Sequence, residues 1–327
     1  MFLQLHSLTI QLESQNTAAN QQWRILFDGW LQNERPATPD ICLSLELVPH
    51  LPLLPETAVL FTDSQSRPDD MRSIAVYAAE AENVWLHFTD GALVRLPLQP
   101  ELAGDIPTAA GYITPQIMEY GRFEDVTFTA LAPLLRQRGY YLIHAFAAER
   151  DGRAVLVVGP SGSGKTTTGL SLLLDGWKLL SNDVVLLQAQ ADGVYALPTP
   201  GGVSIRAETL PLLPRLKTIL SIQTPDGDGK IHLSSTALTG GDWAAAAPVT
   251  AVFFPHIESK PTNTLSTQNR AICLVKLMAE SVDRWDKMTL PGHIEILQQV
   301  CEQAAVYNLH LGQDMTQLPA LIMEETT

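Results

Sequence analysis

Eight consecutive residues, Gly159–Thr166, have the types and the spacing that phosphate binding requires. They match the pattern Gly-x-x-x-x-Gly-Lys-Ser/Thr at every position. Glycines allow the backbone to curl around an anion with its N–H groups turned inward. Lys165 would add a charge to the β- and γ-phosphates, and the Thr166 hydroxyl is a hard oxygen ligand of the kind Mg²⁺ prefers. The pattern therefore predicts a site for ATP, or another nucleoside triphosphate, with its Mg²⁺.

The segments on either side of the loop support this prediction. Arg153–Val158 is an apolar strand, and Lys165–Asp175 has the pattern of a helix. A helix that begins at the loop offers unsatisfied N–H donors and the positive end of its dipole to the phosphates. Arg206 is a further candidate for clamping a phosphate, with a surface pair to Glu208 as the alternative. We expect the nucleotide to be held by Gly159, Pro160, Ser161, Gly162, Ser163, Gly164, Lys165, Thr166, Thr167 and Arg206.

The strand before the loop is predicted to be the second arm of a tight hairpin. Tyr140–Ala147 is a strand, and Asp151-Gly152 is a turn that leaves little room before the next strand. Such a hairpin makes its two strands antiparallel, so the sheet is mixed. The Asn-Lys-x-Asp motif of regulatory GTPases and the Leu-Ser-Gly-Gly-Gln signature of transporter ATPases are both absent from the sequence. The usual classes of phosphate-loop ATPase and GTPase are therefore disfavoured.

A longer set of residues resembles a known family. His144-Ala145, the phosphate loop, and the run Asp175-Gly176-Trp177-Lys178-Leu179-Leu180-Ser181-Asn182-Asp183 resemble the catalytic domain of HPr kinase/phosphorylase. They are closer still to HPr-kinase-related proteins, some of which are peptide kinases in modified-peptide biosynthesis. The resemblance covers roughly residues 140–325. It implies a PEP-carboxykinase-like α/β fold and ATP-dependent phosphoryl transfer to a serine of a peptide or small protein.

The resemblance also implies catalytic roles for particular residues. In the family, an aspartate after the downstream strand takes the hydroxyl proton, and the upstream histidine lies beside it. These roles fall on Asp183 and His144, with Lys165 on the phosphates and with Thr166 and Asp183 as the metal ligands. Two positions depart from the family pattern. Asn182 replaces the first residue of an Asp-Asp pair, so Asn182→Asp is expected to keep or raise activity, and Ser204 replaces a metal-binding glutamate.

Two further functions stay open on the sequence alone. The departures at Asn182 and Ser204 are compatible with a nucleotide-binding regulatory or scaffold protein that has little turnover. A small-molecule kinase is also compatible, because acceptor pockets leave no sequence motif. The sequence does not name the acceptor, the oligomeric state (a homo-oligomer is one option) or the preferred base of the nucleotide.

Length and composition bound the remaining properties. The 327 residues suffice for two domains, and we predict a β-rich N-terminal module over residues 1–124 and an α/β kinase domain over 125–327. A formal net charge of −14 argues against nucleic-acid binding and requires a local cationic site for any anionic ligand. The sequence shows neither a signal peptide nor an apolar run long enough for a membrane span. We therefore expect a cytoplasmic protein.

Overall fold

The fold comes from a computed structural model, which describes most of the chain. The described residues are 1–32, 34, 38–54, 57–62, 74–80, 83–99, 106–118, 121–216, 230–234, 238–281 and 283–326. Their contacts divide the chain into two compact units. The first comprises 1–138 and 283–291, and the second comprises 139–282 and 292–327. The division follows Arg138, whereas the boundary expected from the sequence followed residue 124.

The first unit is built on one mixed sheet. Within the described residues the sheet has nine strands in the order β3-β1-β2-β4-β9-β8-β7-β6-β5. The pairs β2–β4 and β4–β9 are parallel and the others are antiparallel. The strands are β1 Phe2–Leu5, β2 Leu8–Glu13, β3 Leu31–Gln32, β4 Ile41–Leu47, β5 Val59–Thr62, β6 Ile74–Ala78, β7 Asn83–Phe88, β8 Ala92–Pro97 and β9 Thr108–Ile113.

Two helices, α1 (Thr17–Leu26) and α2 (Arg122–Arg136), belong to the same unit. A short 3-10 helix, Pro115–Met118, precedes α2. The indole N–H of Trp23 in α1 donates to the Thr127 hydroxyl of α2 at 3.3 Å, and both side chains are fully buried. Because α2 buries its apolar face in this unit, the division between the units falls after it.

Arg136, at the end of α2, forms a buried ion-pair network within the first unit. Its guanidinium donates to Asp283 at 2.7 Å and to Asp286 at 2.7 Å and 3.0 Å. The side chains of Arg136 and Asp286 are only 2% and 1% exposed. The late segment 283–291 is therefore an integral part of the N-terminal unit.

The second unit contains ten strands and five helices within the described residues. The strands are β10 Tyr141–Arg150, β11 Arg153–Val158, β12 Lys178–Ser181, β13 Val184–Gln190, β14 Gly193–Leu197, β15 Gly202–Arg206, β16 Lys230–Ser234, β17 Ala247–Ile257, β18 Thr264–Thr267 and β19 Ala305–Leu311. The helices are α3 Lys165–Leu174, α4 Thr209–Leu212, α5 Arg270–Ala279, α6 Leu290–Gln303 (which begins in the segment assigned to the first unit) and α7 Leu318–Glu324.

The predicted hairpin before the phosphate loop is confirmed. β10 and β11 pair antiparallel, from Ala145↔Val158 to Arg150↔Arg153. Strand β11 also pairs in parallel with β17, which in turn pairs in parallel with β19. Because β10 pairs with β13, β13 with β14, and β14 with β17, these strands close into a ring. The chain is thus mixed α/β, as the sequence predicted, and both large sheets are mixed.

Each face of β11 faces a different core. Leu156 and Val158 pack with α5 and α6, whereas Val155 and Val157 pack with α3 and α7. This alternation follows from the two-residue period of a strand. Strand β11 therefore lies between two helical layers, and the phosphate loop begins where it ends. None of the helices in the described part of the chain combines the length and hydrophobicity that a membrane-spanning segment requires.

Candidate phosphate-binding and phosphoryl-transfer site

The phosphate loop connects β11 directly to α3. Gly162 and Gly164 have positive φ values of 82° and 107°, which glycine adopts at little cost. Gly164 is the N-cap of α3, and no side chain caps the helix there. The first N–H groups of α3 therefore lack a side-chain capping partner, as an anion-binding helix terminus requires.

Lys165 lies across the loop from which it projects. Its ammonium donates to the carbonyl oxygens of Gly159 at 2.5 Å and Pro160 at 3.2 Å, and the residue is only 5% exposed. Burial lowers the pKa of Lys165, while the nearby carboxylates of Asp183 and Glu280 oppose that shift. The ammonium is thus hydrogen-bonded to carbonyl groups of its own loop, and two acidic side chains act on it electrostatically.

The loop lies against the carboxyl ends of the parallel strands β17 and β19. A Cβ added at Gly164 would lie 2.4 Å from Leu311 Cδ1, and one at Gly159 would lie 3.9 Å from Pro255. Among the described residues, the buried hydroxyl of Ser163 has no hydrogen-bond partner. A buried hydroxyl without a partner is costly unless a ligand or water satisfies it. The loop therefore presents a buried hydroxyl and the uncapped N–H groups of α3 as candidate partners for an anion.

His144 and Asp183 come together because of the way β12 and β13 share one partner strand. β13 pairs with β10 as far as His144↔Val184, and β12 pairs with the later part of β10. The chain crosses between these pairings at Asn182-Asp183, where the Asp183 carbonyl accepts from the Ala145 N–H at 3.1 Å. As a result, Asp183 Oδ1 lies 3.9 Å from His144 Nε2.

The second carboxylate of the cluster, Glu280, is a residue that the sequence analysis missed. Its Oε2 lies 3.4 Å from His144 Nδ1, and its carbonyl accepts from the His144 N–H at 3.1 Å. Glu280 follows the last residue of α5, far along the chain from the loop, and lies in no motif. Only the pairing of distant elements brings it to His144, so no local signal in the sequence could have revealed it.

The charges around Asp183 modify its acidity. Desolvation raises the pKa of Asp183, although 39% of its side chain remains exposed. His144, Lys165, a hydrogen bond from Asn182, and Lys230 each act in the opposite direction. A carboxylate with a raised pKa is a stronger base, and three basic side chains act on this one electrostatically. Lys230, at the start of β16, is a second residue near the site that the sequence analysis did not single out.

Asn182 has a structural role that its position in the sequence did not indicate. The residue is 2% exposed, and its amide nitrogen donates to the Gly202 carbonyl at 3.1 Å. Its amide oxygen is buried and has no partner among the described residues. Asn182 therefore ties the crossover to the start of β15, with its side chain turned away from solvent.

The other predicted residues lie at the start of α3 and on β15. Thr166 is half-buried, and the Thr167 hydroxyl lies 3.3 Å from that of Thr209. Ser204 Oγ lies 3.0 Å from His232 Nδ1. Arg206 is exposed at the end of β15, opposite Lys230. Within the described residues, no hydrogen bond or ion pair joins Arg206 to the loop, so its phosphate-binding role stays a prediction.

No preformed metal centre exists in the described part of the chain, where no group of three or more His, Cys, Asp or Glu side chains is arranged to hold a metal ion. Mg²⁺ commonly binds through one or two protein oxygens together with waters and substrate phosphates. The hydroxyl of Thr166 and the carboxylate of Asp183 are hard oxygen donors of that kind. They fit a metal that arrives with a nucleotide.

Comparison with known proteins does not assign this chain to a family. No protein-family model matches the chain, and no curated protein matches it significantly. Among solved structures, the HPr(Ser) kinase/phosphatase from Coxiella burnetii is similar at 14% sequence identity, covering 56% of this chain and 94% of its own, with a TM-score of 0.28. A TM-score of 0.28 is too low to assign a shared fold, so the function proposed below rests on the side chains of this chain.

Proposed function

We propose that this chain transfers the γ-phosphoryl group of Mg-ATP to the serine hydroxyl of a peptide or small protein. The observation that carries the proposal is the grouping of Lys165, Asp183 and His144 beside an uncapped helix terminus. Lys165 is electrostatically coupled to Asp183, which lies 3.9 Å from His144. A phosphate-binding cation and a candidate base thus belong to one cluster, as phosphoryl transfer requires.

Each residue of this cluster would have a separate role in the phosphoryl transfer. The loop N–H groups and Lys165 hold the phosphates, while Thr166 and Asp183 would hold Mg²⁺, which neutralises charge on the γ-phosphate when bound. The serine Oγ–phosphorus bond forms as the bond from phosphorus to the β-phosphate oxygen breaks, and ADP leaves. Asp183 accepts the hydroxyl proton, and the desolvation that raises its pKa favours that transfer.

A nucleotide-binding regulatory protein is the second candidate. It is favoured by Asn182 and Ser204, whose side chains are engaged with Gly202 and His232 rather than with a substrate. In that case the loop would bind Mg-ATP and turnover would be slow. A small-molecule kinase would use the same residues with a different acceptor.

The test compares two degenerate peptide libraries that differ only at one fixed position, serine in one and alanine in the other. With Mg-ATP, we expect mass spectrometry to detect phosphopeptides from the serine library alone. Asp183→Asn should lower the rate by about 10²–10⁴, which is the usual contribution of general-base catalysis. Binding of Mg-ATP without phosphopeptide formation would overturn the peptide-kinase proposal in favour of the regulatory function. Transfer to a metabolite extract alone would favour the small-molecule kinase.

A further inference from the structure

Two buried thiols lie side by side where α5 and α6 pack on β11. Cys273 belongs to α5 and Cys301 to the last turn of α6, and their Sγ atoms are 3.1 Å apart. Cys273 is fully buried, and Cys301 is 4% exposed. Both residues belong to the same apolar core as Leu156 and Val158 of β11. The thiol pair is therefore part of the core of the second unit.

The helical period places each cysteine on the inner face of its helix. Leu277 lies four residues after Cys273, and Leu297 lies four residues before Cys301. Residues four apart share one face of a helix, and all four of these side chains are buried. The two sulphurs therefore meet because the apolar faces of α5 and α6 pack together.

Both helices are also anchored at positions other than the cysteines. The Asn269 side chain caps the start of α5 by accepting from two backbone N–H groups. At the end of α6, the Gln303 amide donates to the carbonyl oxygens of Val194 at 2.8 Å and Val249 at 2.9 Å. The fold thus brings the two thiols together without a covalent bond between them.

The distance and the acidity of the thiols suit the formation of a disulfide. Because bonded sulphurs are about 2.05 Å apart, the pair would have to approach by only about 1 Å. A hydrogen bond from Cys273 lowers the pKa of Cys301, burial opposes that shift, and the charge of Arg270 assists it. The same hydrogen bond and burial raise the pKa of Cys273. Since the thiolate is the nucleophile, Cys301 is the thiol that attacks an oxidant first.

We propose that Cys273 and Cys301 form a reversible dithiol–disulfide site, which hydrogen peroxide oxidises and a thiol reductant restores. The Cys301 sulphur attacks one peroxide oxygen, which gives a sulfenic acid and one water. The Cys273 sulphur then attacks the sulfenic sulphur, so the S–S bond forms and the hydroxyl leaves with the Cys273 proton as a second water. The two sulphurs together lose two electrons, and the peroxide gains them.

Such a disulfide would join the two helices that pack on one face of β11. Glu280 directly follows α5, and its carbonyl accepts from the His144 N–H at 3.1 Å. A cross-link that fixes α5 should therefore also restrict local opening of the backbone at His144. The inference concerns the covalent state of the core, and it does not depend on the proposed function.

Peptide mapping of the full chain tests whether the cross-link forms. The reduced protein is treated with hydrogen peroxide, unfolded, alkylated and digested without reductant. We expect the peptides that contain Cys273 and Cys301 to be linked, whereas Cys42, the remaining free cysteine, is alkylated. Dithiothreitol should return the linked peptides to two alkylated ones. Two thiols that remain free for alkylation, or sulfinic acids without a linked peptide, would overturn the proposal.

Thermal unfolding measures the effect of the cross-link on the fold. Oxidation should raise the Tm of the wild type by about 4–16 °C, because a disulfide restricts the unfolded chain, and dithiothreitol should reverse the gain. Cys301→Ala undergoes the same methionine oxidation and should show no gain, whereas Cys42→Ala should retain it. Hydrogen exchange should slow in α5 and at His144 of the oxidised wild type. A linked pair with an unchanged or lower Tm would contradict the stabilising role. Should Cys301→Ala not fold, the wild type and Cys42→Ala decide the question.

Discussion

The ammonium of Lys165 donates to carbonyl groups of its own loop, so a bound phosphate would have to compete with Gly159 and Pro160 for it. Such competition is favourable because a phosphate oxygen carries charge and a carbonyl does not. The lysine needs no large movement, since the loop that it contacts is the loop that would hold the phosphates. If the loop binds phosphates as proposed, the Lys165 ammonium is already in position for them.

We predict that Lys165→Ala weakens Mg-ATP binding about tenfold to a hundredfold. The variant removes charge-assisted hydrogen bonds to the phosphates, which contribute roughly 1.5–3 kcal/mol. Isothermal titration calorimetry measures the change. Lys178→Ala is the matched control, because that lysine is 49% exposed and pairs with Asp242 on the surface. Equal affinity of Lys165→Ala and wild type would remove the loop as the phosphate site.

Asn182→Asp should destabilise the protein rather than improve the site, contrary to the expectation from the sequence alone. An aspartate cannot donate to the Gly202 carbonyl, and it would place a second carboxylate beside Asp183 in a buried position. An unsatisfied buried polar group costs about 1–3 kcal/mol. Urea unfolding of the variant measures the loss. Stability equal to that of the wild type, together with higher turnover, would favour the sequence-based expectation.

The charge of Asp183 makes the free energy of unfolding depend on pH. Because its folded-state pKa is raised, the ionised form is penalised in the folded protein, and the penalty is present above that pKa. Asp183→Asn should therefore be more stable than the wild type near about pH 7. The difference in free energy of unfolding between Asp183→Asn and the wild type should shrink as the pH falls through the raised pKa toward about 3.9, the usual pKa of an aspartate. Urea unfolding at several pH values tests this, with the exposed Asp242→Asn as the control. A variant less stable than wild type at neutral pH would contradict the assigned direction.

At the scale of elements, α3 can approach β10 closely because residue 169 is a glycine. A Cβ at Gly169 would lie 2.3 Å from ring carbons of Phe146, which is fully buried. No side chain can be accommodated at that distance without displacing the ring or the helix. Since Lys165 begins the same helix, this contact fixes the distance of the phosphate loop from the sheet.

Gly169→Ala should therefore destabilise the protein by about 1–3 kcal/mol, the usual cost of overpacking, even though alanine is the better helix former. Mg-ATP affinity should fall as well, because the start of α3 moves. Thermal unfolding and calorimetry measure the two effects. In the double variant with Phe146→Leu, the smaller side chain should relieve part of the clash, so the losses should not add. If the losses in stability are additive, the new methyl group does not clash with the Phe146 ring.

The elements nearest the loop were predictable from the sequence because their signals are local. The Asp151-Gly152 turn determines the hairpin, and the glycine-rich run between an apolar strand and an amphipathic helix determines the loop. β10 extends to Arg150, beyond the predicted end at Ala147, because the hairpin register continues to the turn. The parallel pairing of β11 with β17 and the approach of Glu280 to His144 join distant segments, and no local pattern encodes them.

At the scale of the whole molecule, the Arg136 network joins segments from opposite parts of the sequence within one unit. Arg136→Met should destabilise the N-terminal unit by about 3–5 kcal/mol, because it leaves Asp286, which is 1% exposed, without its cationic partner. Lys178→Met breaks an exposed pair and should cost less than about 1 kcal/mol. Denaturant unfolding compares the two variants. Similar small losses for both would mean that solvent reaches the Arg136 network.

Because residues 283–291 belong to the first unit, exchanging that unit between proteins, in evolution or by design, is constrained. A gene segment cut after Arg138 would carry Arg136 but lose Asp283 and Asp286, the two acids that neutralise it. A chimaera that exchanges only the first segment would therefore inherit an unmatched buried charge. The N-terminal unit is formed by two separate segments of the chain, and successful exchanges should retain or replace both together.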